Sequence, residues 1–546
     1  MQEQWWKHAI IYGVDVERFC DSDKDGIGDF PGLCAKLPYL ASLGFDCIWL
    51  LPFFPSTDRD NGYDITDYYR VARKYGQLSQ FQEFIRRAGE QGIRVILDLV
   101  AHHTSDEHPW FQAARQDKDS PYRDYYVWSD QPPKPAPGKG QIFPGRQDSV
   151  WTFDDTARAY YYHRFYDFQP ALNHRNPAVL DALKRVADFW LSFGIAGFRI
   201  DAASHLIEDP LDPSGKGDPA HQVLRDLYGH ITRRKPDAMV LGEVDEEEAK
   251  LASFFDGEQL NMMFNFFLNN YLMLALATET AAPIAEALAR LPPKPANGQW
   301  ANFLRNLDEA DLERLDPDQK LQVLDRFAPR DDMRIFGRGI RRRLAPMLGN
   351  AAKLKMAYSL LFALPGVPVV CYGDEIGMGE DLAAEGRNAV RAPMQWTGGR
   401  NGGFSAARKT RLVQAMVEDG PFRLEKVNVA AQDGQEGSIL EHLRKLTAIR
   451  HGCLHIGQRE CRIIDTGQDA VLALGWRTPE EDILTLHNLS SNKVEARFAL
   501  RGLGTDKAPQ PLLGAACDAP EEDHVSVSLT PYDFRWLRWR PVMAPP

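Results

Sequence analysis

The chain has 546 residues, enough for more than one domain and for a large buried core. Hydrophobic residues make up 44% of it, charged residues 26% and aromatic residues 11%, which is the composition of an ordinary soluble globular protein. The formal net charge is −12, so the sequence lacks the basic field that attracts phosphates, and we expect no nucleic-acid partner.

The chain starts with MQEQWWKHAI, where no charged segment is followed by an apolar one, and no run of about 18 apolar residues occurs in it. We therefore expect no membrane partner and a cytoplasmic location. The seven cysteines are scattered and show no CxxC spacing, so free thiols in a reducing compartment are favoured over zinc or a disulfide framework. The sequence gives no indication of the oligomeric state.

An acidic loop near the start of the chain has the spacing of a site for a hard cation. Side chains with oxygen atoms occur at alternate positions from Asp21 onward, and the sixth position of the loop is a glycine. The residue after this glycine can contribute its backbone carbonyl. A polar turn closed by hydrogen bonds from side chains to the backbone is the alternative. We expect Ca²⁺, or Mg²⁺ in its place, with the ligands Asp21, Asp23, Asp25, Ile27 (through its carbonyl) and Asp29.

Short apolar strands alternate with amphipathic helices over the first two-thirds of the chain. Residues 45–51 have the pattern of a buried strand, residues 81–92 that of a helix ending at a glycine, and residues 94–99 that of the next strand. Nearly continuous apolar strands imply a parallel sheet covered by helices, and the number of units favours a (β/α)₈ barrel over a doubly wound sheet. Later strands are expected at 197–201, 239–243, 301–306 and 367–372.

Two segments depart from this alternation. Residues 104–174 are rich in Pro, Gly, Asp and aromatic residues, and a loop of this length inside a domain is usually functional or a small subdomain. From residue 462 onward, stretches alternate with period two, which predicts an all-β module. The fold class is therefore expected to be α/β, with a catalytic barrel in 1–103 and 175–461, an inserted subdomain B in 104–174 and a terminal module in 462–546.

Carboxylates stand at, or just after, the ends of four predicted strands. One such residue is usually a turn or cap residue, but four on separate strands of one barrel would converge on one mouth. Such a set suits glycoside cleavage, in which an ionised carboxylate attacks or stabilises the anomeric carbon and a protonated one donates to the departing oxygen. The four residues are Asp98, Asp201, Glu243 and Asp308.

Arg199 stands two residues before Asp201, so both side chains are expected on the same face of a strand, inside the barrel. An adjacent guanidinium favours the ionised form of Asp201, which a nucleophile requires. A structural ion pair between Arg199 and Asp201 is compatible with this interpretation. We place Arg199 among the substrate-binding residues.

Four segments resemble the core motifs of the α-amylase family of retaining α-glucosidases and transglycosylases: DLVAHH (98–103), GFRIDAA (197–203), LGEV (241–244) and FLRNLDE (303–309). Longer stretches, such as LPFFPSTDRDNGYDITDY and GIRRRLAPMLGN, are most similar to the trehalose-synthase (maltose α-D-glucosyltransferase) group of that family. The resemblance implies that Asp201 is the nucleophile, Glu243 the acid/base and Asp308 the stabiliser of the transition state. It also implies a (β/α)₈ TIM barrel, a subdomain inserted after strand three and a C-terminal β-sandwich.

The resemblance implies further sugar contacts. Asp60 and Tyr63 match a pair that holds the non-reducing glucose, Tyr63 by stacking, and His103 matches a histidine near the 6-hydroxyl. Gln169 matches a substrate-binding glutamine, and Arg391 an arginine that pairs with the Asp60-type residue. Such a pair would wall off the pocket behind one glucose and favour small α-glucosides over starch.

Four positions depart from the family pattern. Leu307 stands where a histidine usually bonds the 2- and 3-hydroxyls of the glucose, and leucine cannot make these bonds. Gly13 stands where trehalose synthases have glutamine. His102 and Ala171 replace two ligands of a second calcium site between barrel and subdomain, which we expect to be empty.

The leading hypothesis is a retaining enzyme of the trehalose-synthase type that acts on small α-glucosides of the maltose and trehalose class. It would use a covalent glucosyl-Asp201 intermediate and no organic cofactor. An α-glucosidase that only hydrolyses is one alternative, because the sequence does not settle when water enters. A catalytically weakened sugar-binding barrel, suggested by Leu307, is the other.

Overall fold

The computed structural model describes residues 4–131, 141–144, 146–208, 210, 221–459, 461–500, 503 and 508–540. Its strands, in chain order, are β1 (Ile11–Val14), β2 (Cys47–Leu50), β3 (Arg94–Leu99), β4 (Trp128–Ser129), β5 (Trp151–Asp154), β6 (Ala159–Tyr162), β7 (Gly197–Ile200), β8 (Met239–Gly242), β9 (Met262–Phe264), β10 (Gln299–Phe303), β11 (Ala310–Asp311), β12 (Arg334–Ile335), β13 (Gly339–Ile340), β14 (Val367–Cys371), β15 (Arg462–Ile464), β16 (Val471–Arg477), β17 (Asp482–Asn488), β18 (Val494–Ala499), β19 (Gln510–Leu513), β20 (His524–Leu529) and β21 (Phe534–Trp539).

The α-helices of the same residues are α1 (Phe30–Ala35), α2 (Leu37–Ser42), α3 (Leu78–Glu90), α4 (Pro109–Gln116), α5 (Pro177–Leu191), α6 (Gln222–Arg234), α7 (Glu248–Phe254), α8 (Phe266–Thr278), α9 (Ala282–Arg290), α10 (Pro317–Phe327), α11 (Leu344–Leu348), α12 (Ala351–Ala363), α13 (Val429–Gln432), α14 (Ile439–His451) and α15 (His455–Gln458). None of the described helices is long and apolar enough to cross a membrane.

The strands β1, β14, β10, β9, β8, β7, β3 and β2, in this spatial order, close into a parallel barrel. Apart from Arg94 at the start of β3, their residues are buried, as expected where helices cover the outside and side chains fill the inside. In this closed order β3 and β10 lie opposite each other. Loops that follow these two strands can therefore meet only by spanning the barrel mouth.

The outer helices are fixed by local signals and by one apolar face each. Helix α5 begins at the cap residue Asn176, whose side chain accepts from a backbone N–H of the first turn. It buries Trp190 completely against aromatic rings beneath the barrel surface. Gly197 opens β7 at a point where a Cβ would lie 1.9 Å from the carbonyl oxygen of Met239, so only glycine lets β7 approach β8 there.

Two smaller units accompany the barrel. Between β3 and β7, the inserted segment forms an antiparallel sheet in the order β4–β6–β5. At the C-terminal end, a sheet in the order β15–β16–β17–β21–β19 and the pair β18–β20 share one apolar core, to which Leu484 and Val527 belong. The predicted (β/α)₈ barrel and all-β terminal module are confirmed, whereas the domain boundaries at 104, 175 and 462 stay predictions.

Candidate active site

A cavity of about 410 Å³ lies at the carboxyl ends of the barrel strands. Asp201 and Glu243 line it directly after β7 and β8, and Asp308 lines it a few residues after β10. This end of a (β/α)₈ barrel is where such enzymes carry their active sites. Most of the residues expected to contact sugar line the same cavity, namely Asp60, Tyr63, His103 and Arg199.

The guanidinium of Arg199 joins carboxylates from three strands. Its Nη1 lies 2.5 Å from Asp98 Oδ1 and 2.5 Å from Asp201 Oδ1, and its Nη2 lies 2.7 Å from Glu243 Oε2. The Arg199 side chain is only 3% exposed, so these carboxylates, and not water, neutralise its charge. Arg199 and Asp201 share one face of the barrel, as their spacing predicted.

Burial raises the pKa values of Asp201 and Glu243, and it raises the pKa of Asp98 to about 7; Arg199 opposes the shift in each. For Asp201 the effect of burial on the pKa is larger than the effect of the guanidinium, so the pKa is raised. The sequence shows only the neighbouring cation, which favours the ionised form, and therefore indicated the opposite direction. For Glu243, a raised pKa keeps a proton available for a departing oxygen.

Asp308 has the opposite electrostatic balance. Burial disfavours its ionised form, but Arg387 and Arg391 outweigh burial and lower the pKa of Asp308 to about 2. Arg391 Nη2 lies 2.7 Å from Asp308 Oδ1, and Arg387 Nη1 lies 3.4 Å from the same oxygen. Neighbouring carboxyl groups whose pKa values differ in this way are suited to different roles, one as an acid and one as a fixed anion.

Asp60 and Arg391 do not form a direct ion pair in the structure, although Arg387 and then Arg391 oppose the rise that burial causes in the pKa of Asp60. The Arg391 side chain is 1% exposed and does not line the cavity; it binds Asp308, and its Nε donates to the Leu307 carbonyl at 2.7 Å. Arg391 follows β14, whose neighbour β10 precedes Asp308, and this carboxylate is its direct partner.

Gln169 takes a supporting position instead of the expected direct contact with sugar. Its side chain is fully buried and does not line the cavity. Its Nε2 donates to Asp60 Oδ2 at 2.8 Å, and its Oε1 accepts from the Tyr166 backbone N–H at 3.2 Å. Gln169 therefore orients Asp60, and Asp60 is the group of this pair that faces the cavity.

His103 and Tyr63 both face the cavity, and their sugar contacts stay predictions. Burial lowers the pKa of His103 to about 4, so the ring is neutral near pH 7. Its Nε2 is buried, and a hydrogen bond with the Tyr63 backbone partly opposes the lowering of the His103 pKa. The Tyr63 hydroxyl donates to Asp98 Oδ2 at 3.3 Å, and Arg199 lies over the Tyr63 ring, 5.8 Å from its centroid.

The backbone is strained at the catalytic end of β7. Ala202, directly after Asp201, has φ 47° and ψ 41°, a left-handed conformation that costs a residue with a Cβ about 1–3 kcal/mol. In this conformation the Ala202 N–H donates to Glu243 Oε2 at 2.9 Å. The strained turn thus ties Glu243 to the residue next to Asp201.

Two departures from the family pattern have a physical reading here. Leu307 is 2% exposed and packs in the core, while its neighbours Asn306 and Asp308 line the cavity. A Cβ on Gly13 would lie 3.1 Å from Trp49 Cε3, so a larger residue there requires the Trp49 ring to shift by a few tenths of an ångström. Trp49 Nε1 donates to an oxygen of the Asp98 carboxylate at 3.1 Å, which links position 13 to the carboxylate network.

Arg387 is one of the cavity residues that the sequence did not indicate. Its Nε lies 2.7 Å from Glu309 Oε2, and its guanidinium also approaches Asp308 and the rings of Phe143 and Phe336. The only signal was its place in the same RNAVRAPMQW segment as Arg391.

The acidic loop brings three of its predicted ligands together. One carboxylate oxygen from each of Asp21, Asp23 and Asp29 lies within 4.8 Å of the others. Within the described part of the chain, no lysine or arginine forms an ion pair with these three carboxylates. Their oxygens instead accept hydrogen bonds from neighbouring groups; the Gly26 N–H, for example, donates to Asp21 Oδ2 at 2.9 Å. Asp25 accepts from the Ile27 N–H at 2.8 Å. Carboxylates that converge without a protein counter-charge fit a hard cation.

The family's second calcium site was expected to be empty, and this stays a prediction. Beside His102, the loop after β7 contributes His205, whose ring centroid is 6.3 Å from that of His102. His205 Nδ1 lies 2.8 Å from Glu208 Oε1, and Arg164 Nε lies 3.0 Å from Glu208 Oε2. An ion-pair network of protein groups therefore joins the inserted segment to this loop.

A family model described as the catalytic domain of α-amylase matches residues 14–456. The chain belongs to the α-amylase family. It is an enzyme of the class that acts on α-glucosidic bonds, as a glycosyl hydrolase or transferase. A second model, described as the C-terminal domain of sucrose hydrolase-like proteins, matches residues 481–538.

Several curated relatives are trehalose synthases. A trehalose synthase/amylase from Mycolicibacterium smegmatis is 41% identical over 461 residues, which cover 83% of this chain and 77% of that protein. A trehalose synthase from Pimelobacter is 37% identical, covering 98% of this chain and 96% of that one. A solved structure of trehalulose synthase from Pseudomonas mesoacidophila has a TM-score of 0.78 at 25% identity, covering 98% of this chain and 99% of that one. The resemblance drawn from the motifs is confirmed over nearly the whole length.

Replacing Arg199 by leucine tests the electrostatic arrangement. Without the guanidinium, the effect of burial on the pKa of Asp201 is no longer opposed by Arg199, and this pKa rises further. Because a nucleophile acts only when it is ionised, activity is then lost at a higher pH as the solution is acidified. We expect the acidic limb of the kcat/KM profile to move upward by about one pH unit or more, and Arg199→Lys to restore it in part. The profile is measured with a nitrophenyl α-glucoside.

The control is Arg86→Leu, which removes an exposed arginine of α3 and should leave the limb in place. Removing a buried counter-charge also destabilises a fold, so each variant is first checked by thermal unfolding. An unchanged acidic limb in folded Arg199→Leu protein would show that Arg199 does not set the protonation of Asp201.

Proposed function

We propose that this chain is a retaining enzyme of the trehalose-synthase type that acts on small α-glucosides of the maltose and trehalose class. The observation that carries the proposal is that two nitrogens of the Arg199 guanidinium hold Asp201 and Glu243 side by side in one cavity. A retaining mechanism needs its nucleophile and its acid/base near each other, at about 5–5.5 Å, and a shared guanidinium favours such an arrangement.

In the first step, Asp201 attacks the anomeric carbon while Glu243 gives its proton to the glycosidic oxygen. The bond between that carbon and that oxygen breaks, which leaves a glucosyl ester on Asp201 and a free sugar. Asp308, kept ionised by its arginine partners, stabilises the positive charge that develops on the sugar. Glu243 then accepts a proton from an incoming hydroxyl, whose oxygen attacks the anomeric carbon and releases Asp201.

The identity of the incoming hydroxyl decides the product. If it is the anomeric hydroxyl of the released glucose, maltose becomes trehalose; if it is water, the result is hydrolysis. Hydrolysis alone is the second candidate, and it is supported by the relative from Mycolicibacterium smegmatis, which is named both a trehalose synthase and an amylase. A weakened sugar-binding barrel is less well supported, since Leu307 is buried outside the cavity lining.

The cavity supports a small substrate. Its volume of about 410 Å³ falls in the range of pockets that enclose small ligands, about 300–1,000 Å³. His103, which lines it, offers a neutral polar ring to a sugar. The relative from Pseudomonas mesoacidophila is a trehalulose synthase, and one structure of an inactive mutant of that enzyme is a complex with isomaltulose.

We also propose that the acidic loop binds Ca²⁺, or Mg²⁺ in its place. Asp21, Asp23 and Asp29 supply converging oxygens, and the Ile27 carbonyl and Asp25 complete the proposed set. The ion would have a structural role, because the loop is tied to a later segment: Ser405 Oγ donates to Asp21, and the Val413 N–H donates to the Gly26 carbonyl at 3.0 Å.

Product analysis tests the proposed reaction. Purified protein is incubated separately with maltose, trehalose, sucrose, isomaltose and a nitrophenyl α-glucoside, and the products are separated by chromatography. We expect trehalose from maltose and maltose from trehalose. Glucose as the sole product would identify a hydrolase instead.

The matched variants are Asp201→Asn, expected to lower kcat by about 10³-fold or more, and Asp188→Asn on the outer helix α5, expected to leave it unchanged. The enzyme proposal fails for these substrates if none is turned over and Asp201→Ala binds sugar as well as the wild-type protein does.

Chelation tests the cation site. We expect about one equivalent of metal after dialysis, and removal with a chelator should lower the free energy of unfolding by about 2.7 kcal/mol if the ion is present at about 100 times its Kd. Added Ca²⁺ should restore the midpoint of thermal unfolding. Metal content is measured by atomic emission.

Asp23→Asn should reduce this effect of Ca²⁺, whereas Asp155→Asn, an exposed carboxylate of the inserted segment, should not. Zero equivalents of metal, together with no response of the unfolding midpoint to chelator, would remove the site from the account.

A further inference from the structure

Two aromatic side chains meet across the mouth of the barrel. Phe143 lies in the inserted segment that follows β3, and Phe336 lies in the turn between β12 and β13, which follows β10. Their ring centroids are 4.7 Å apart, with ring planes at 41°. Because β3 and β10 are opposite strands of the barrel, this contact bridges the cleft between two loops that start on opposite sides.

Arg387 joins this bridge to the catalytic end. Its guanidinium lies over both rings, 5.0 Å from the Phe143 centroid and 5.6 Å from that of Phe336. The same guanidinium lies 3.4 Å from Asp308 and 2.7 Å from Glu309. Phe143 and Arg387 line the cavity, and Phe336 packs against both of them from outside its lining.

The turn that presents Phe336 is strained. Phe336 has φ 56°, in the left-handed region that a bulky residue enters only at a cost of about 1–2 kcal/mol, and the next residue, Gly337, has φ 66°. Gly or Asn is the usual occupant of such a position. A phenylalanine kept there at this cost indicates that its ring has a function beyond forming the turn.

Further contacts lead from the bridge toward Asp60. Phe143 stacks on Tyr166 with centroids 4.7 Å apart and planes at 22°, and Tyr166 in turn stacks on Phe168. The Tyr166 N–H is bonded to Gln169, which holds Asp60. Stacked rings and hydrogen bonds thus form a continuous structure from the β12–β13 turn to one side of the sugar pocket.

We propose that the Phe336–Phe143 bridge, capped by Arg387, determines substrate length by converting an open cleft into a pocket that admits a disaccharide and rejects longer α-glucans. A chain of several glucose units bound at the catalytic carboxylates must extend across the barrel mouth, and the bridge obstructs that path. This inference rests on the proposed α-glucoside activity and adds the residues that limit its substrates.

The experiment measures kcat/KM for maltose and for maltotetraose in the wild-type protein and in Phe336→Ala and Phe143→Ala. Each alanine variant opens the bridge from one side, so one of them suffices if the other misfolds. We expect the maltotetraose-to-maltose ratio to rise about tenfold, which corresponds to about 1.4 kcal/mol of discrimination. Phe336→Tyr keeps the ring and should retain the wild-type ratio, whereas a merely local packing role would leave this ratio unchanged in the alanine variants as well.

The control is Phe153→Ala, which removes an exposed ring of β5 that does not line the cavity, and it should leave the ratio unchanged. An unchanged ratio in both bridge variants of an active enzyme would overturn the inference while leaving the proposed function intact. If the wild-type protein turns over neither sugar, the proposed function fails. The affinities of maltose and maltotetraose, measured by calorimetry in the same variants, then test the bridge separately.

Discussion

One buried guanidinium is the constraint on which the catalytic end of this barrel depends. Asp98, Asp201 and Glu243 come from the adjacent strands β3, β7 and β8, and Arg199 binds all three. Buried carboxylates repel one another and are costly without a counter-charge. The strand register meets this requirement, because Arg199 lies directly beside Asp98 in the pairing of β3 with β7.

From this constraint follows a division of roles. Asp201 and Glu243 share one cation, and burial raises the pKa of each. Asp308 is held by two other arginines, Arg387 and Arg391, which keep it ionised. The site thus contains a fixed anion, and a carboxyl group able to hold a proton, within one cavity. Glycosidic cleavage through a covalent intermediate needs both.

The part of this arrangement that lies along single strands could be predicted from the sequence. The apolar run at 94–99 is strand β3 as predicted, and Asp201 and Glu243 directly follow β7 and β8. Predicted boundaries were less accurate for helix α3, which spans Leu78–Glu90 instead of residues 81–92. The Gln80 side chain accepts from the Gln77 backbone N–H at 2.7 Å and satisfies a donor at the helix start, which lies earlier than the apolar spacing indicated.

Contacts between loops of different strands could not be predicted in this way. Arg391 was assigned to Asp60, but its direct partner is Asp308. Arg387 was missed because its partners, Glu309 and the rings of Phe143 and Phe336, belong to two other loops. Sequence spacing carries no information on which loops meet across the mouth, although that contact shapes the pocket.

The most direct test of the account is to trap the glucosyl group on Asp201. The protein is treated with 5-fluoro-α-glucosyl fluoride, whose ring fluorine slows the second step, then digested and analysed by mass spectrometry. The account predicts one fluoroglucosyl adduct, on the peptide that contains Asp201, and none in Asp201→Asn. An adduct on another carboxylate, or turnover of this reagent by inversion at the anomeric carbon, would contradict it.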